Sequence, residues 1–245
     1  MIPTLTSGVI AGACAAAGLG LAAGGFTYAS KWPSSRLFGD SLIAPRRPGQ
    51  LALTFDDGPN PAWTPYLLDM LAGYNVQATF FLLGGRANAE PQLARRMVDE
   101  GHVVGNHSWN HPNLALTRAN VIWEELDQTR LLLEQITGKA VRFFRPPFGG
   151  RRPVVLKISR ELGMRPVLWN AMTSDWSERS GDKIASRLAT RIDQLFRRGR
   201  AANIVLHDGG HREKNANREP SMAAVEKLIL RYMDTHQFVT LEAWV

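Results

Sequence analysis

The 245-residue chain has a single cysteine, Cys14, which excludes an intramolecular disulfide and any zinc cluster built from thiolates. Charge is missing at the start: Met1 to Ser30 contains no Lys, Arg, Asp, Glu or His. Within that stretch, residues 8–29 are dominated by Ala, Gly, Val, Ile and Leu, with no basic residue ahead of them. Ala11-Gly12-Ala13 lacks the large aliphatic residue that a lipid-modified Cys14 would need in front of it. Repeats and low-complexity tracts are absent beyond this point. No nucleic-acid-binding motif and no interleaving of basic with aromatic residues accompanies the net charge of +7.

What remains is the composition of a folded domain. With 44% hydrophobic and 21% charged residues, the chain can bury one sizeable core. The positive charge suits an anionic surface such as a cell envelope, without implying nucleic acid. Residues 1–30 read as an apolar anchor or the apolar part of an export signal. Lys31, Arg36, Arg46 and Arg47 follow this run and, by the positive-inside rule, favour a cytoplasmic body. An export role puts the body outside, and we expect an envelope protein, membrane-anchored through residues 8–29 or exported. Residues 31–49, rich in Pro and Ser, read as a linker, and residues 50–245 as the domain.

From residue 50 apolar runs alternate with segments of helical period. The strand candidates are 51–55, 79–83, 103–106, 141–145, 166–169, 203–206 and 238–240. The helical candidates are 64–74, 90–100, 118–137, 152–162, 182–199 and 221–235. Gly73, Gly101, Gly138, Gly163 and Gly199 fall at helix ends, where a left-handed residue is wanted. Such alternation predicts a parallel sheet with helices around it, an α/β barrel or incomplete barrel.

The chemistry lies at the ends of these strands. Thr54-Phe55-Asp56-Asp57-Gly58-Pro59 sets two adjacent carboxylates after the first strand, and such a pair is costly unless something neutralises one of them. A cation is the natural partner. His107 and His111, four residues apart on a helical turn or tight loop, can share it, and an Asp-His-His set with open positions suits a hydrolytic metal site. Arg145 ends the fourth strand, Asp175 follows the fifth, and His207-Asp208 follow the sixth. All fall at carboxyl ends of strands, the face on which α/β barrels build active sites. Taken singly, each motif also reads as a turn, a capping carboxylate or a core histidine. Their common register is what scattered surface charges would not show.

Thr54–Pro59, His107–His111, Arg145–Phe148, Asp175-Trp176 and Leu206-His207-Asp208 together resemble the ordered motifs of the polysaccharide deacetylases, carbohydrate esterase family 4 or NodB-homology domain. The resemblance runs from about Gln50 to the C-terminus. It implies a distorted (β/α)7 barrel and metal-dependent removal of N-acetyl groups from a glycan containing N-acetylglucosamine, peptidoglycan or a chitin-like oligosaccharide. Asp57, His107 and His111 would bind the metal, zinc by default with cobalt or nickel as alternatives. Asp56 would be the general base, oriented by Arg145, and His207 the general acid, held charged by Asp175. The backbone N–H at Phe148 would help to stabilise the oxyanion. Pro147, Phe148, Trp176 and Leu206 would line the substrate site.

Two positions depart from the family pattern: Met172 stands where an aspartate is frequent, and Phe148 where tyrosine is common. Both bear on substrate preference more than on reaction type. The loop Gly209–Pro220, carrying His211, Arg212, Glu213, Lys214 and Arg218, is expected to shape the groove. A non-haem iron oxygenase also uses two His and one carboxylate, but with a different spacing and no need for His207 with Asp175. A non-catalytic carbohydrate-binding relative would tend to lose Asp56 or His207. Deformylation of a lipid-linked amino sugar remains open within the same chemistry, and xylan O-deacetylation is the less favoured alternative.

Overall fold

The computed structural model describes residues 24–245. Most of the apolar stretch read as an anchor, residues 1–23, lies outside the described residues. Its tail, 24–31, is helical (α1). Among the described residues, no helix is long and apolar enough to cross a membrane.

The domain is a curled, wholly parallel sheet wrapped by helices. In chain order it runs β1 (Gln50–Gly58), α2 (Thr64–Gly73), β2 (Thr79–Leu82), α3 (Gly84–Ala89), α4 (Pro91–Asp99), β3 (Val103–Asn106), α5 (Ala119–Thr137) and β4 (Phe143–Phe144). A 3-10 turn at Pro147–Gly149 leads to α6 (Pro153–Glu161), β5 (Arg165–Pro166), β6 (Ala171–Met172), α7 (Gly181–Arg197), β7 (Ala202–His207), α8 (Glu219–Tyr232) and β8 (Gln237–Phe238). The strand order is β5-β4-β3-β2-β1-β7-β6, with β8 pairing the start of β1.

The local signals explain most boundaries. Pro stands in the first turn of α2, α4, α6 and α8, where its missing N–H costs nothing. Gly138 closes α5 with φ 67°, and Gly101, Gly163 and Gly199 are also left-handed. Gly73 is not. The left-handed turn after α2 falls to Asn75, φ 53°, because asparagine tolerates that region and the helix runs to its last residue before turning. Helix α3 and strand β6 were not anticipated, since each is too short to show a period.

The expected strand 166–169 is split. After β5, Val167 N–H donates to Phe144 and Leu168 N–H to Leu42, while Asn170 N–H already donates to Asn203 in β7. A few extended residues therefore link the two edges of the sheet, and at about 3.3 Å per residue they can do so only if the sheet curls nearly shut. The result is the distorted (β/α)7 barrel.

Side chains alternate across β1. Leu51, Leu53 and Phe55 face the helices, in one large core with residues such as Leu188, Ile192 and Leu228. Each such side chain contributes about 1.5–3 kcal/mol on burial. Ala52, Thr54 and Asp56 face inward. Ala52 joins Phe81, Phe143, Val167, Leu241 and Trp244 in an apolar plug at the bottom of the barrel. Above that plug the interior turns polar, and there the site begins.

Residues 31–49 have little regular structure, as a linker would, yet they are fastened to the barrel. Leu42 bridges Val167, and the fully buried Arg151 donates to the carbonyls of Ser30, Trp32, Ser35 and Gly149. Arg151→Ala strands these buried carbonyls. We expect a loss of roughly 2–4 kcal/mol in urea unfolding and faster protease cleavage within 31–49. Unchanged stability and unchanged cleavage would show the segment to be merely adjacent.

Candidate active site

Consecutive residues of a strand point to opposite faces, so Asp56 and Asp57 should diverge. They do not. The β1–β2 register slips between Asp56 and Gly58, and Asp57 takes φ 71°, a bulge that turns both carboxylates into the same cleft. Glycine flanks the bulge because space is lacking: a Cβ on Gly58 would strike the Asp208 carboxylate, and one on Gly209 the carbonyl of Asp57.

His107 and His111 sit on a tight loop after β3, not on a helical turn. Ser108 (φ 68°) and His111 (φ 61°) are both left-handed. The loop is held by side chains: Asn106 Oδ1 accepts from Ser108 N–H, Ser108 Oγ from His111 N–H, and Glu125 Oε2 from the N–H groups of Trp109 and Asn110. Glu125 comes from the buried face of α5, between Ile122 and Leu126. A carboxylate inside an apolar stripe was the sequence signal for this role.

The three expected ligands converge. His111 Nε2 lies 3.2 Å and His107 Nε2 3.5 Å from Asp57 Oδ1. His107 donates Nδ1–H to the Arg145 carbonyl at 2.7 Å, which leaves its Nε2 lone pair facing the cluster. Asp57 Oδ1 is buried with no hydrogen-bond partner among the described residues. Burial and the neighbouring His107 push His111 down to about 3, so its ring is neutral, as a ligand must be. Burial raises the Asp57 carboxyl, but contact with His211 and the nearby charge of His207 outweigh it and hold the group well below the usual carboxylate range. Donor atoms of Asp57, His107 and His111 all lie within 4.8 Å of one another, and this set fits a divalent cation.

Two ion pairs flank the cluster. Arg145 is fully buried, and its Nη1 donates to Asp56 Oδ1 and Thr54 Oγ1, both at 2.7 Å. Its guanidinium lies over the Phe81 ring at 4.2 Å. On the other side, His207 Nδ1 is 2.9 Å from Asp175 Oδ1, while Asp175 Oδ2 accepts from His207 N–H and Ser221 Oγ. Burial alone would depress the imidazole, but Asp175, with help from Asp57 and Asp56, lifts it to about 9. Asp208, next in sequence, points away: it bonds Thr64 Oγ1, and burial raises it to about 7.

The cleft above these groups has a volume of about 760 Å³. Phe148 and Trp176 line it, half exposed, with Trp176 edge-on to His207. Met172, the departure from the family pattern, also lies on its wall. Two expected lining residues are corrected. Leu206 alternates to the outer face of β7, among Leu53 and Phe55, and Val205 lines the cleft instead. Pro147 is buried within the 3-10 turn, and Pro146, itself buried, borders the cleft in its place. His211 and Arg218, from the loop after β7, are cleft residues too. The roles of Glu125 and Ser221 were not anticipated.

Comparison with known proteins agrees with this geometry. Residues 44–167 match the polysaccharide deacetylase family profile. Over 189 residues the chain is 40% identical to a peptidoglycan-N-acetylglucosamine deacetylase of Bacillus cereus, covering 77% of this chain and 65% of that protein's length. It is 39% identical to a chitooligosaccharide deacetylase of Sinorhizobium fredii, covering 72% of this chain and 82% of the other. The crystal structure of the Bc1960 peptidoglycan N-acetylglucosamine deacetylase superposes with a TM-score of 0.74 at 34% identity, covering 83% of this chain and 91% of that one. The chain belongs to the polysaccharide deacetylase family.

The raised His207 sets a pH dependence. Its pairing with Asp175 stabilises the fold fully below about pH 6.5 and is lost as pH rises through about 9. If His207 works as an acid, kcat/KM falls through the same upper range. Asp175→Asn should move that alkaline limb down by about one to three pH units. A limb that stays in place would separate His207 from the profile.

Proposed function

We propose that the chain is a metal-dependent hydrolase that removes N-acetyl groups from N-acetylglucosamine units of peptidoglycan or of a chitin-like oligosaccharide. The observation that carries this reading is the pair of opposed ion pairs, Arg145–Asp56 and Asp175–His207, on either side of the Asp57-His107-His111 cluster. A base and an acid facing one electrophile site are what amide hydrolysis requires. The names of the relatives support the substrate class.

A divalent cation held by Asp57, His107 and His111, zinc by default and cobalt or nickel as alternatives, would supply Lewis acidity and make water acidic enough to be deprotonated near neutral pH. Asp56 accepts that proton, with Arg145 on its Oδ1 leaving Oδ2 on the cleft side. Water oxygen bonds to the acetyl carbon, and the Phe148 N–H donates to the developing oxyanion. His207 gives its proton to the sugar nitrogen as the C–N bond breaks, releasing acetate and a free amine. Phe148, Trp176, Val205 and Met172 wall the acetyl and sugar groups. Such a substrate places the protein in the cell envelope, and the apolar residues 8–29 suit association with a membrane there.

Acetate release from N-acetylglucosamine oligomers and from peptidoglycan tests the reading. We expect turnover that chelation abolishes and added zinc or cobalt restores. Asp56→Asn should bind metal normally yet lose about a thousandfold in kcat, and His207→Ala about a hundredfold or more. His111→Ala should lose metal and activity together. Near-normal turnover by Asp56→Asn would falsify the assigned base. Metal-bound enzyme that spares all acetylated glycans but cleaves a formamido sugar would move the substrate to a lipid-linked amino sugar.

A further inference from the structure

The carboxylate of Asp57 has two oxygens, and only one of them faces the histidine cluster. Oδ1 turns toward His107 and His111, whereas Oδ2 turns outward, where His211 Nδ1 lies 3.5 Å away. The His211 ring stacks on His111 with centroids 4.3 Å apart and planes 16° apart, and it meets Phe148 edge-on at 5.4 Å. One side chain thus touches a ligand carboxylate, a ligand imidazole and the cleft wall.

This placement is built rather than incidental. The loop that carries His211 is tied down on both sides: Arg218 Nε donates to the Gly209 carbonyl at 2.7 Å and Arg86 Nη2 to the Gly210 carbonyl at 3.0 Å. Lys214 pairs with Glu90 at 2.7 Å on the far side of the loop. Gly210 is required there because a Cβ would run into Ala216. His211 itself is one third exposed, so it is not needed to fill the core.

We propose that His211 is a positioning residue of the metal site, donating Nδ1–H to Asp57 Oδ2 and so fixing the carboxylate with Oδ1 toward the cation. This rests on the metal-site reading above. A carboxylate free to rotate about χ2 samples orientations in which neither oxygen completes the site. A donor on the outer oxygen removes that freedom and favours single-oxygen ligation, which is how supporting hydrogen bonds raise metal affinity. Stacking on His111 holds the second ligand by its outer face and keeps water from that side.

Cobalt titration of chelator-stripped full-length protein tests the role without relying on turnover. Wild type should bind one Co2+, and His111→Ala should bind none. His211→Ala should bind Co2+ about 10- to 100-fold more weakly, with the melting temperature of the metal-free protein unchanged and the Co2+ absorption band of the saturated site retained. His211→Gln, whose amide can still donate to Asp57, should recover most of the affinity. Equal affinity of His211→Ala and wild type would overturn the proposal. Equal weakness of the Ala and Gln variants would overturn it too, since stacking and not donation would then be the cause. Absence of Co2+ binding by wild type would instead remove the metal-site reading on which it stands.

Discussion

A guanidinium buried in the middle of the barrel governs the construction of this protein. An unpaired charge in a dry interior costs several kcal/mol, so every polar feature around Arg145 answers to it. Asp56 and Thr54 accept from its Nη1, the Phe81 ring lies beneath it, and Asn203 approaches from β7. Its main chain is engaged as well: the N–H donates to Asn106, and the carbonyl receives the Nδ1–H of His107. One residue therefore couples the proposed base, the first strand and an imidazole of the proposed metal site. The polar layer can exist only because the apolar plug of Ala52, Phe143 and Trp244 closes the barrel below it and the helices seal its flank.

The second constraint is backbone geometry. A regular strand cannot aim two successive carboxylates into one cleft, and a regular helix turn does not bring His107 and His111 onto Asp57. The chain departs from regular geometry at Asp57, Ser108, His111 and Phe148, all left-handed although none is glycine. Such conformations are costly and persist where the surroundings hold them. Here the restraint is visible: Glu125 and Asn106 pin the histidine loop, and the close fit of Gly58 and Gly209 leaves the bulge no room to relax. The strained positions and the chemical positions coincide because only distorted backbone makes the side chains converge.

That coincidence also explains what could be read from the sequence. Long helices carried their period and their boundaries, with prolines in the first turns and Gly138 at the end of α5 marking them within about three residues. The inward face of β1 was legible as alternation, and the convergent site residues stood in recognisable order. Elements of two to six residues, such as β6 and α3, have no period to detect. The face of Leu206 was misjudged because its motif neighbour His207 points into the cleft, and alternation then sends Leu206 outward. Glu125, Ser221 and the position of His211 depend on contacts between distant segments. No local pattern reports such contacts, although a glutamate within the buried stripe of α5 was a visible anomaly.

The division of labour across the cleft follows from these environments. Asp56 and His207 are each one half of an ion pair whose other half is more deeply buried: Arg145 behind Asp56 and Asp175 behind His207. The buried partner sets the charge of the exposed one, so a cation stands behind the carboxylate and an anion behind the imidazole. Reversing either pair would make both groups acids or both bases. A cation held by the cluster between them would need neutral imidazoles, and burial supplies that by depressing His111 while Asp175 lifts His207. Histidines within one cleft thus take opposite protonation states: at His207 the Asp175 carboxylate outweighs burial, whereas at His111 burial and the neighbouring His107 outweigh Asp57. The proposed ligand and the proposed acid are distinguished by what surrounds each ring.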